Sequence, residues 1–556
     1  MPAMTGSRYF AEALQAYGVT HFFFVPTILT PALAEMEGKP ITRVMAHSEK
    51  AAAYMADGYA RLSHRPGLCG AQTIGAANLA AGLRDPFLAC SPVIALTGGR
   101  SPEHKYRHVY QEIDDFALFT PLCKWNVIVD SPRRLPDLLR QAFRSATTGC
   151  PQPVHLEIAG NFGQAVEAED ELDVRFEPQF GQYPAFRPLA DSRHVEQAAR
   201  LLHECQRPIL VAGGGVTASS AQSELVALAE KLQIPVATSL NAKGAIAENH
   251  PLSVGVVGSY SRRCANQAVA EADLVFYVGS RTGSQVTNSW KVPPLQAARV
   301  IQLDIEGQEL GRNYPNEVSL CGDAKAVLRQ LLEVVPRKPG DSPWCQRVVD
   351  LVNEWRRFVA PLRNSDAIPI RPERICKEIE AILPENAVLV SDTGHAGIWT
   401  GTHIELRSPK QSYLRAAGSL GWGVPAAIGA KCAAPDRPVI CFTGDGGFYY
   451  HFAELETALR YGIKIVVVIN NNRSLNQETE IFAEAYGGKQ TAGFEMWQFR
   501  DVNLAEVARA MGCWSERIET PGEIRPALER ALAADQPAVL DVVSDLGILA
   551  PPPWEG

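Results

Sequence analysis

At 556 residues the chain exceeds a single compact module, and roughly 150 residues per domain predicts three or four domains. Hydrophobic residues at 46% against 21% charged exclude a disordered chain and predict a large buried core. The 53 Lys and Arg are outnumbered by 61 Asp and Glu, for a net charge of −8 with His neutral, and without an extended basic block this excludes a nucleic-acid-binding surface. In chain order, the opening MPAMTGSRYFAEALQAYG is polar and amphipathic instead of carrying a signal h-region, and no later run reaches the roughly 18 apolar residues of a membrane span. A cytoplasmic protein with no membrane attachment is expected. Short apolar runs then alternate with helical stretches: Val93–Thr97, Pro153–Ile158, Pro208–Ala212, Asp273–Val278, Val300–Ile305, Ala387–Ser391, Val439–Thr443, Ile463–Ile469 and Ala538–Val543. This alternation predicts parallel α/β layers.

Two stretches break the rhythm, Gly160–Asp191 with its acidic EAEDELD and Pro336–Pro369 with RKPGDSP and AIPIRP, and both read as interdomain linkers. They leave blocks at 1–165, 190–335 and 368–545 and a tail, 546–556, that reads as a frayed end with Trp554 as a candidate pocket cover. No tandem repeat is detectable. The twelve cysteines form no C-x-x-C pair, so scattered reduced thiols are expected. In open parallel sheets ligands collect outside the carboxyl ends of strands, and the chemistry is sought where a strand meets a Gly-rich turn.

The segment VICFTGDGGFYYHFAELETALRYGIKIVVVINNN predicts a strand ending at Thr443, a turn Gly444-Asp445-Gly446-Gly447, a helix over Phe448–Tyr461 and a second strand ending at Ile469. As neighbours in one parallel sheet these strands bring Asp445 and Asn472 to the same edge, although 27 positions separate them. One carboxylate and one amide oxygen suit a hard cation that also holds phosphate oxygens. Either half alone is a common structural turn. In RVMAHSEKAAAYMADGYARL, Ser48 is placed to cap a helix with Ala52, Met55, Ala56 and Tyr59 on one face, leaving Glu49 in its first turn. An isolated Glu there needs no more than the favourable helix dipole to explain it.

The GDG, 24 intervening residues and NN resemble the diphosphate-binding motif of thiamine diphosphate (ThDP) enzymes. The pattern E-x-x-A-x-x-x-A-D-G-Y-A-R resembles the activating segment of their acetohydroxyacid synthase branch. The resemblance spans nearly the whole chain and implies an α/β fold of three doubly wound parallel-sheet domains, pyrimidine-binding, central and diphosphate-binding. It implies Mg²⁺ on Asp445, Asn472 and the Ser474 carbonyl, with Gly446 and Gly447 in the diphosphate turn. Glu49 would act on the aminopyrimidine, and a buried setting that raises its pKa makes sharing a proton feasible. AAGSLGWGVPAAIGAK implies Leu420 between the cofactor rings and the Gly418 carbonyl on the 4′-amino group. SDTGHAGIW implies Gly394 and His395 at the diphosphate, although Ala396 replaces the usual His. AQTIGAANLAAGLRDPF implies Gly75 and Asn78 near the pyrimidine, and VYQEIDDF implies Tyr110, Gln111 and Glu112 toward the reacting centre, where a Gln can donate to an oxyanion.

Several positions depart from that branch. The G-Y-P-G-G turn is Val25-Pro26-Thr27-Ile28, placing Thr27 and Ile28 near the substrate. R-F-D-D-R-V-T becomes Arg281-Thr282-Gly283-Ser284-Gln285-Val286-Thr287, losing the second Arg. The later Q-W-Q is absent, and Gln477 and Glu478 follow the metal Asn, Gln477 as a pocket residue and Glu478 as a proton carrier or an exposed helix-start residue. The implied activity makes or cleaves a carbon–carbon bond beside a carbonyl, on 2-keto acids, acyloins or 2-hydroxyacyl compounds. Carboligase or 2-hydroxyacyl lyase ranks above acetolactate synthase itself. A flavin-dependent pyruvate oxidase type and a silent ThDP-binding scaffold are the alternatives. FAD or ADP in the central domain stays open, since Gly213-Gly214-Gly215 is a weak dinucleotide signal. Active sites shared between subunits of a homodimer or homotetramer are implied.

Overall fold

The computed structural model describes residues 2–338, 340, 342–489 and 493–554. Three six-stranded parallel sheets follow one another along the chain, each flanked by helices. Their strands read as continuous runs such as Val439–Gly444 and Val466–Asn471 because both faces are covered, so every side chain meets apolar packing. The first sheet runs in space Thr42–Met45, His21–Phe24, Gly67–Ala71, Val93–Gly98, Val154–Ile158 and Trp125–Val129. Numbered by position in the chain, that order is 2-1-3-4-6-5. The third sheet, from Val388–Ser391 to Ala538–Val543, has the same 2-1-3-4-6-5 order. The central sheet differs: its order is 3-2-1-4-5-6, the arrangement of dinucleotide-binding sheets.

The first and third domains hold each other directly. Helix Glu49–Ser63 follows the second strand of the first sheet, and helix Gly423–Ala433 follows the second strand of the third. Both are built from Ala, Gly and other residues buried on nearly every side, as a helix clasped all round must be. Their contact is close and reciprocal. A Cβ at Gly58 would stand 2.2 Å from the Ala426 carbonyl oxygen, and one at Gly429 would stand 1.9 Å from that of Met55. One continuous core, from Phe23 and Tyr54 to Trp422 and Val467, spans both domains.

Four local expectations are corrected. The stretch Pro336–Pro369 is not a plain linker, because Pro343–Arg363 forms a 21-residue helix. Trp344, Val348, Leu351, Val352, Trp355 and Val359 recur at helical spacing and join the central-domain core, outweighing the flanking Pro and Gly. The helix expected over Phe448–Tyr461 is two, Asp445–His451 and Glu454–Arg460, and the former begins within the expected turn. The break at Phe452–Ala453 lets Glu454 turn back and accept the His47 amide at 3.1 Å. Ser48 occupies the N-cap with extended backbone but makes no side-chain cap bond, so Glu454 of the third domain holds the helix entrance instead. The tail also docks: Asn266 of the central helix Arg263–Glu271 donates Nδ2 to the Trp554 carbonyl at 3.1 Å. Residues 555 and 556 lie outside the described residues.

Candidate active site

Both sheets of 2-1-3-4-6-5 order change direction between their first and third strands, and the candidate residues collect at those two edges. In the first domain, strand Gly67–Ala71 runs into Thr73–Gly75 and then helix Ala76–Ala89. This places Gly75 and Asn78 against Glu49 at the start of the neighbouring helix. Asn78 donates Nδ2 to Glu49 Oε2 at 3.2 Å, and a Cβ at Gly75 would lie 2.4 Å from Glu49 Oε1, so glycine is what makes room for the carboxyl group. Gln111 stands at the same edge with positive φ, 63°, its Oε1 accepting Asn161 Nδ2 at 3.0 Å. The Asn161 carbonyl in turn accepts Thr73 Oγ1 at 3.1 Å. Tyr110 is 77% exposed, and Glu112 turns into its own loop to accept the Tyr106 and Val109 amides at 2.6 and 3.2 Å. Thr27 is exposed, whereas Ile28 is fully buried in the first-domain core beside Gly70. Ile28 thus packs the domain interior instead of lining a pocket.

In the third domain, Asp445 and Asn472 emerge from adjacent strands whose register pairs Thr443 with Ile469 and Gly444 with Asn470. Ser474 donates its amide to Asp445 Oδ2 at 2.9 Å and its hydroxyl to Asn472 Oδ1 at 3.0 Å, and the Gly446 amide donates to Asp445 Oδ1 at 2.9 Å. Burial pushes the Asp445 carboxyl up to about 7, against the pull of these amides. No ion pair compensates it among the described residues. A buried carboxylate served only by amides is electrostatically incomplete, and a bound cation completes it. Among the described residues no three His, Cys, Asp or Glu side chains are arranged as a metal cluster, so any cation here relies on one carboxylate together with amide and carbonyl oxygens, the hard donor set of Mg²⁺. Open space surrounds the Gly418 and Gly444 α-carbons, as a bound cofactor would need. A Cβ at Gly447 would instead meet Thr443 Oγ1 at 2.7 Å, and one at Gly446 would meet Leu475 at 2.5 Å. Those two glycines are required by packing.

The remaining residues gather around that edge. His395 Nδ1 and Asn476 Oδ1 are 2.8 Å apart, and a Cβ at Gly394 (φ 68°) would lie 2.7 Å from Gln477 Oε1. Gln477 is exposed, and Glu478 is half-buried at the end of a short 3₁₀ turn. Gly418 and Leu420 lie on the loop between strand Ser412–Arg415 and helix Gly423–Ala433.

Carboxylates that motif reading passed over fix this loop. Asp85, fully buried in helix Ala76–Ala89 of the first domain, accepts the Ala417, Gly418 and Ser419 amides at 2.8, 3.2 and 2.9 Å. Arg61 pairs with Asp85 at 3.1 Å, and Asp57 accepts Trp422 Nε1 at 2.9 Å. From the other side Asp392 accepts the Gly421 and Gly423 amides, both at 3.0 Å, and burial pushes its pKa up to about 6. The available signal was a pair of unexplained acids, in LRDPF and after the strand ending at Ser391. We expect Asp85→Asn to lower stability by about 2 kcal/mol, the scale of a lost hydrogen bond to a charged group. It should also weaken ThDP binding at saturating Mg²⁺. Unchanged affinity in a titration would show that Asp392 alone holds the loop.

Between the domains, the central sheet's switch point opens a cavity of about 250 Å³ lined by Gly213–Gly215, Arg281 and Asp304. Gln285, at the place of the missing Arg, is engaged by the buried Arg415 of the third domain, which also donates to Asn241 at 2.8 Å.

Comparison with known proteins matches this layout. Residues 4–118 match the N-terminal TPP binding domain of thiamine pyrophosphate enzymes, 195–331 their central domain, and 392–542 their C-terminal TPP binding domain. The chain is 33% identical to a probable acetolactate synthase large subunit of Methanococcus aeolicus and 34% identical to one of Methanocaldococcus jannaschii, over 98% of this chain and 92% of each relative. It is 29% identical to the acetolactate synthase isozyme 1 large subunit of Escherichia coli, over 97% of this chain and 94% of that one. With three matched domains, their sheets and near full-length relatives in agreement, the chain belongs to the thiamine pyrophosphate enzymes, in their acetolactate synthase-like branch, and is a thiamine diphosphate-dependent enzyme.

Proposed function

We propose that the chain is a ThDP- and Mg²⁺-dependent carboligase, acetolactate synthase-like, that takes a 2-keto acid as donor and joins it to a carbonyl acceptor. The observation that carries this is the retention of both halves of the machinery: Glu49 seated against Gly75 and Asn78, and the buried Asp445 with Asn472 and Ser474 at the matching edge of the third sheet. A silent scaffold needs only the second half. Bound ThDP supplies a carbon nucleophile and an electron sink. Asp445, Asn472 and Ser474 would hold Mg²⁺, with Gly394, His395, Gly446 and Gly447 around the diphosphate. Glu49 would hold the proton at pyrimidine N1′, the Gly418 carbonyl would receive the 4′-amino group, and Leu420 would keep the rings bent. Gln111, fixed by Asn161, is aimed to donate to a developing oxyanion, with Tyr110, Thr27, Gln477 and Glu478 at the rim.

Although the helix that begins at Glu49 packs on the third domain, no hydrogen bond or ion pair joins Glu49 or Asn78 to Asp445, Asn472 or Ser474 among the described residues. That supports a homodimer or homotetramer with each site completed by a second subunit. Among the described residues no helix is long and apolar enough to cross a membrane, which fits a cytoplasmic enzyme. The 3-2-1-4-5-6 sheet and its cavity support FAD or an ADP moiety in the central domain. The test is to supply the ThDP- and Mg²⁺-loaded protein with 2-keto acids, acyloins and 2-hydroxyacyl thioesters. CO₂ release with a new hydroxyketone is expected. Cleavage of hydroxyacyl thioesters without ligation would move the assignment to a lyase, and no carbon–carbon product from any of them would overturn it. A flavin absorbance band with oxygen uptake would favour the oxidase reading.

A further inference from the structure

The central cavity has a second wall, supplied by the first domain, and two cysteines stand on it. Cys90 ends helix Ala76–Ala89 in a left-handed conformation, φ 57°. Cys150 follows Gly149, φ 60°, just beyond helix Leu135–Thr147. Although 60 positions apart in sequence, both residues line the cavity, close enough for each thiol to shift the other's titration. Arg281 crosses from the central domain to donate Nη2 to Cys150 Sγ at 3.1 Å. Lys124 sits on the far side of the same loop, its Nζ donating to the Cys150 carbonyl at 3.0 Å, while Asp304 is the acidic group that opposes the cations.

A sulfur atom that accepts from a guanidinium and stands beside a second thiol is poised to carry negative charge. The neighbouring Cys90 thiol and the Arg281 guanidinium outweigh burial and hold Cys150 below the usual thiol range, whereas the other eleven cysteines are all pushed up. Both residues are half-buried and line the cavity, so a small reagent entering it meets them there.

We propose that Cys150 is a site of oxidation by hydroperoxides, with Cys90 as its resolving thiol and Arg281 as its counter-ion. The Cys150 thiolate attacks the terminal oxygen of ROOH. The O–O bond breaks, the leaving alkoxide or hydroxide takes up a proton, and Cys150 becomes a sulfenic acid. The Cys90 sulfur then displaces the sulfenic hydroxyl: an S–S bond forms, the Cys90 proton leaves with the hydroxyl as water, and the two electrons lost by the thiol pair reside on the peroxide oxygens. A dithiol reverses the change.

The deciding measurements use the wild-type protein loaded with ThDP and Mg²⁺, so they do not depend on a variant that folds. Limited alkylation with iodoacetamide between pH 5.5 and 9.5, mapped by peptide mass spectrometry, should show Cys150 reaching half-reactivity at a lower pH than Cys321. At pH 7 it should react about tenfold faster than the exposed Cys321, since a larger thiolate fraction outweighs its lower nucleophilicity. One equivalent of hydrogen peroxide should join the peptides bearing Cys90 and Cys150, and dithiothreitol should separate them. In Cys90→Ser the crosslink should give way to a dimedone adduct on Cys150, and in Arg281→Gln the alkylation midpoint should move upward. If Cys150 reacts no faster than Cys321 at pH 7, or if peroxide oxidises Cys321 and leaves Cys150 reduced, the proposal is wrong.

Discussion

Replacing Glu49 with Gln is expected to slow hydrogen exchange at C2 of bound ThDP by about 10²–10⁴-fold, the span of a lost acid–base group, while the cofactor stays bound. The two side chains have the same shape, so Gln fits the notch that Gly75 leaves and can still meet Asn78. What it loses is the capacity to share a proton with a ring nitrogen. Exchange is read by quenched-flow NMR on the loaded protein, with binding measured in parallel by ThDP titration. Equal exchange rates in the two proteins would remove the role given to Glu49. Slow exchange together with lost binding would mean that the substitution has damaged the seat instead of the chemistry.

Asp445→Ala is expected to act on the opposite property, abolishing Mg²⁺-dependent retention of ThDP on gel filtration. Loss of an outer-shell partner typically costs about 10–100-fold in metal affinity, and loss of the sole carboxylate ligand should exceed that. The apo protein should lose only about 1–2 kcal/mol, because the Gly446 and Ser474 amides lose their acceptor while a buried carboxylate disfavoured by desolvation is removed. The signature is a thermal one. Wild-type protein should gain stability on adding Mg²⁺ and ThDP in proportion to the logarithm of ligand concentration over Kd, and the variant should gain nothing at the same concentrations. A variant that melts like wild type with and without both ligands would refute the metal assignment.

Much of this architecture was legible in the sequence for a definite reason. Strands covered on both faces read as unbroken β-branched runs, so Pro208–Ala212 and Ala538–Val543 agree residue for residue with the expectation. The grouping of Glu49 with Asn78, and of Asp445 with Asn472 and Ser474, could be read ahead because their spacing survives in short motifs. Other features were hidden because their partners are backbone amides, which leave no mark in sequence. Asp85, Asp392 and Glu454 each hold N–H groups of distant segments. The Cys90–Cys150 meeting was hidden because neither residue belongs to a motif. Ile28 was misplaced because its position beside a substrate turn said nothing about which way the side chain packs, and the core around Phe22 and Gly70 took it. The helix Pro343–Arg363 was masked by its own Pro-rich borders.

The clasp between helices Glu49–Ser63 and Gly423–Ala433 is repeated at the level of single bonds. Asp85 of the first domain secures the loop that enters one helix, and Glu454 of the third secures the loop that enters the other. The two lobes therefore grip each other as an exchange of like for like, over a core that includes no residue of the middle module. The peptide joining them passes through that module, yet it is not what keeps them together. Severed within the middle module and produced as separate polypeptides, the outer lobes would still carry the full surface by which each recognises its counterpart.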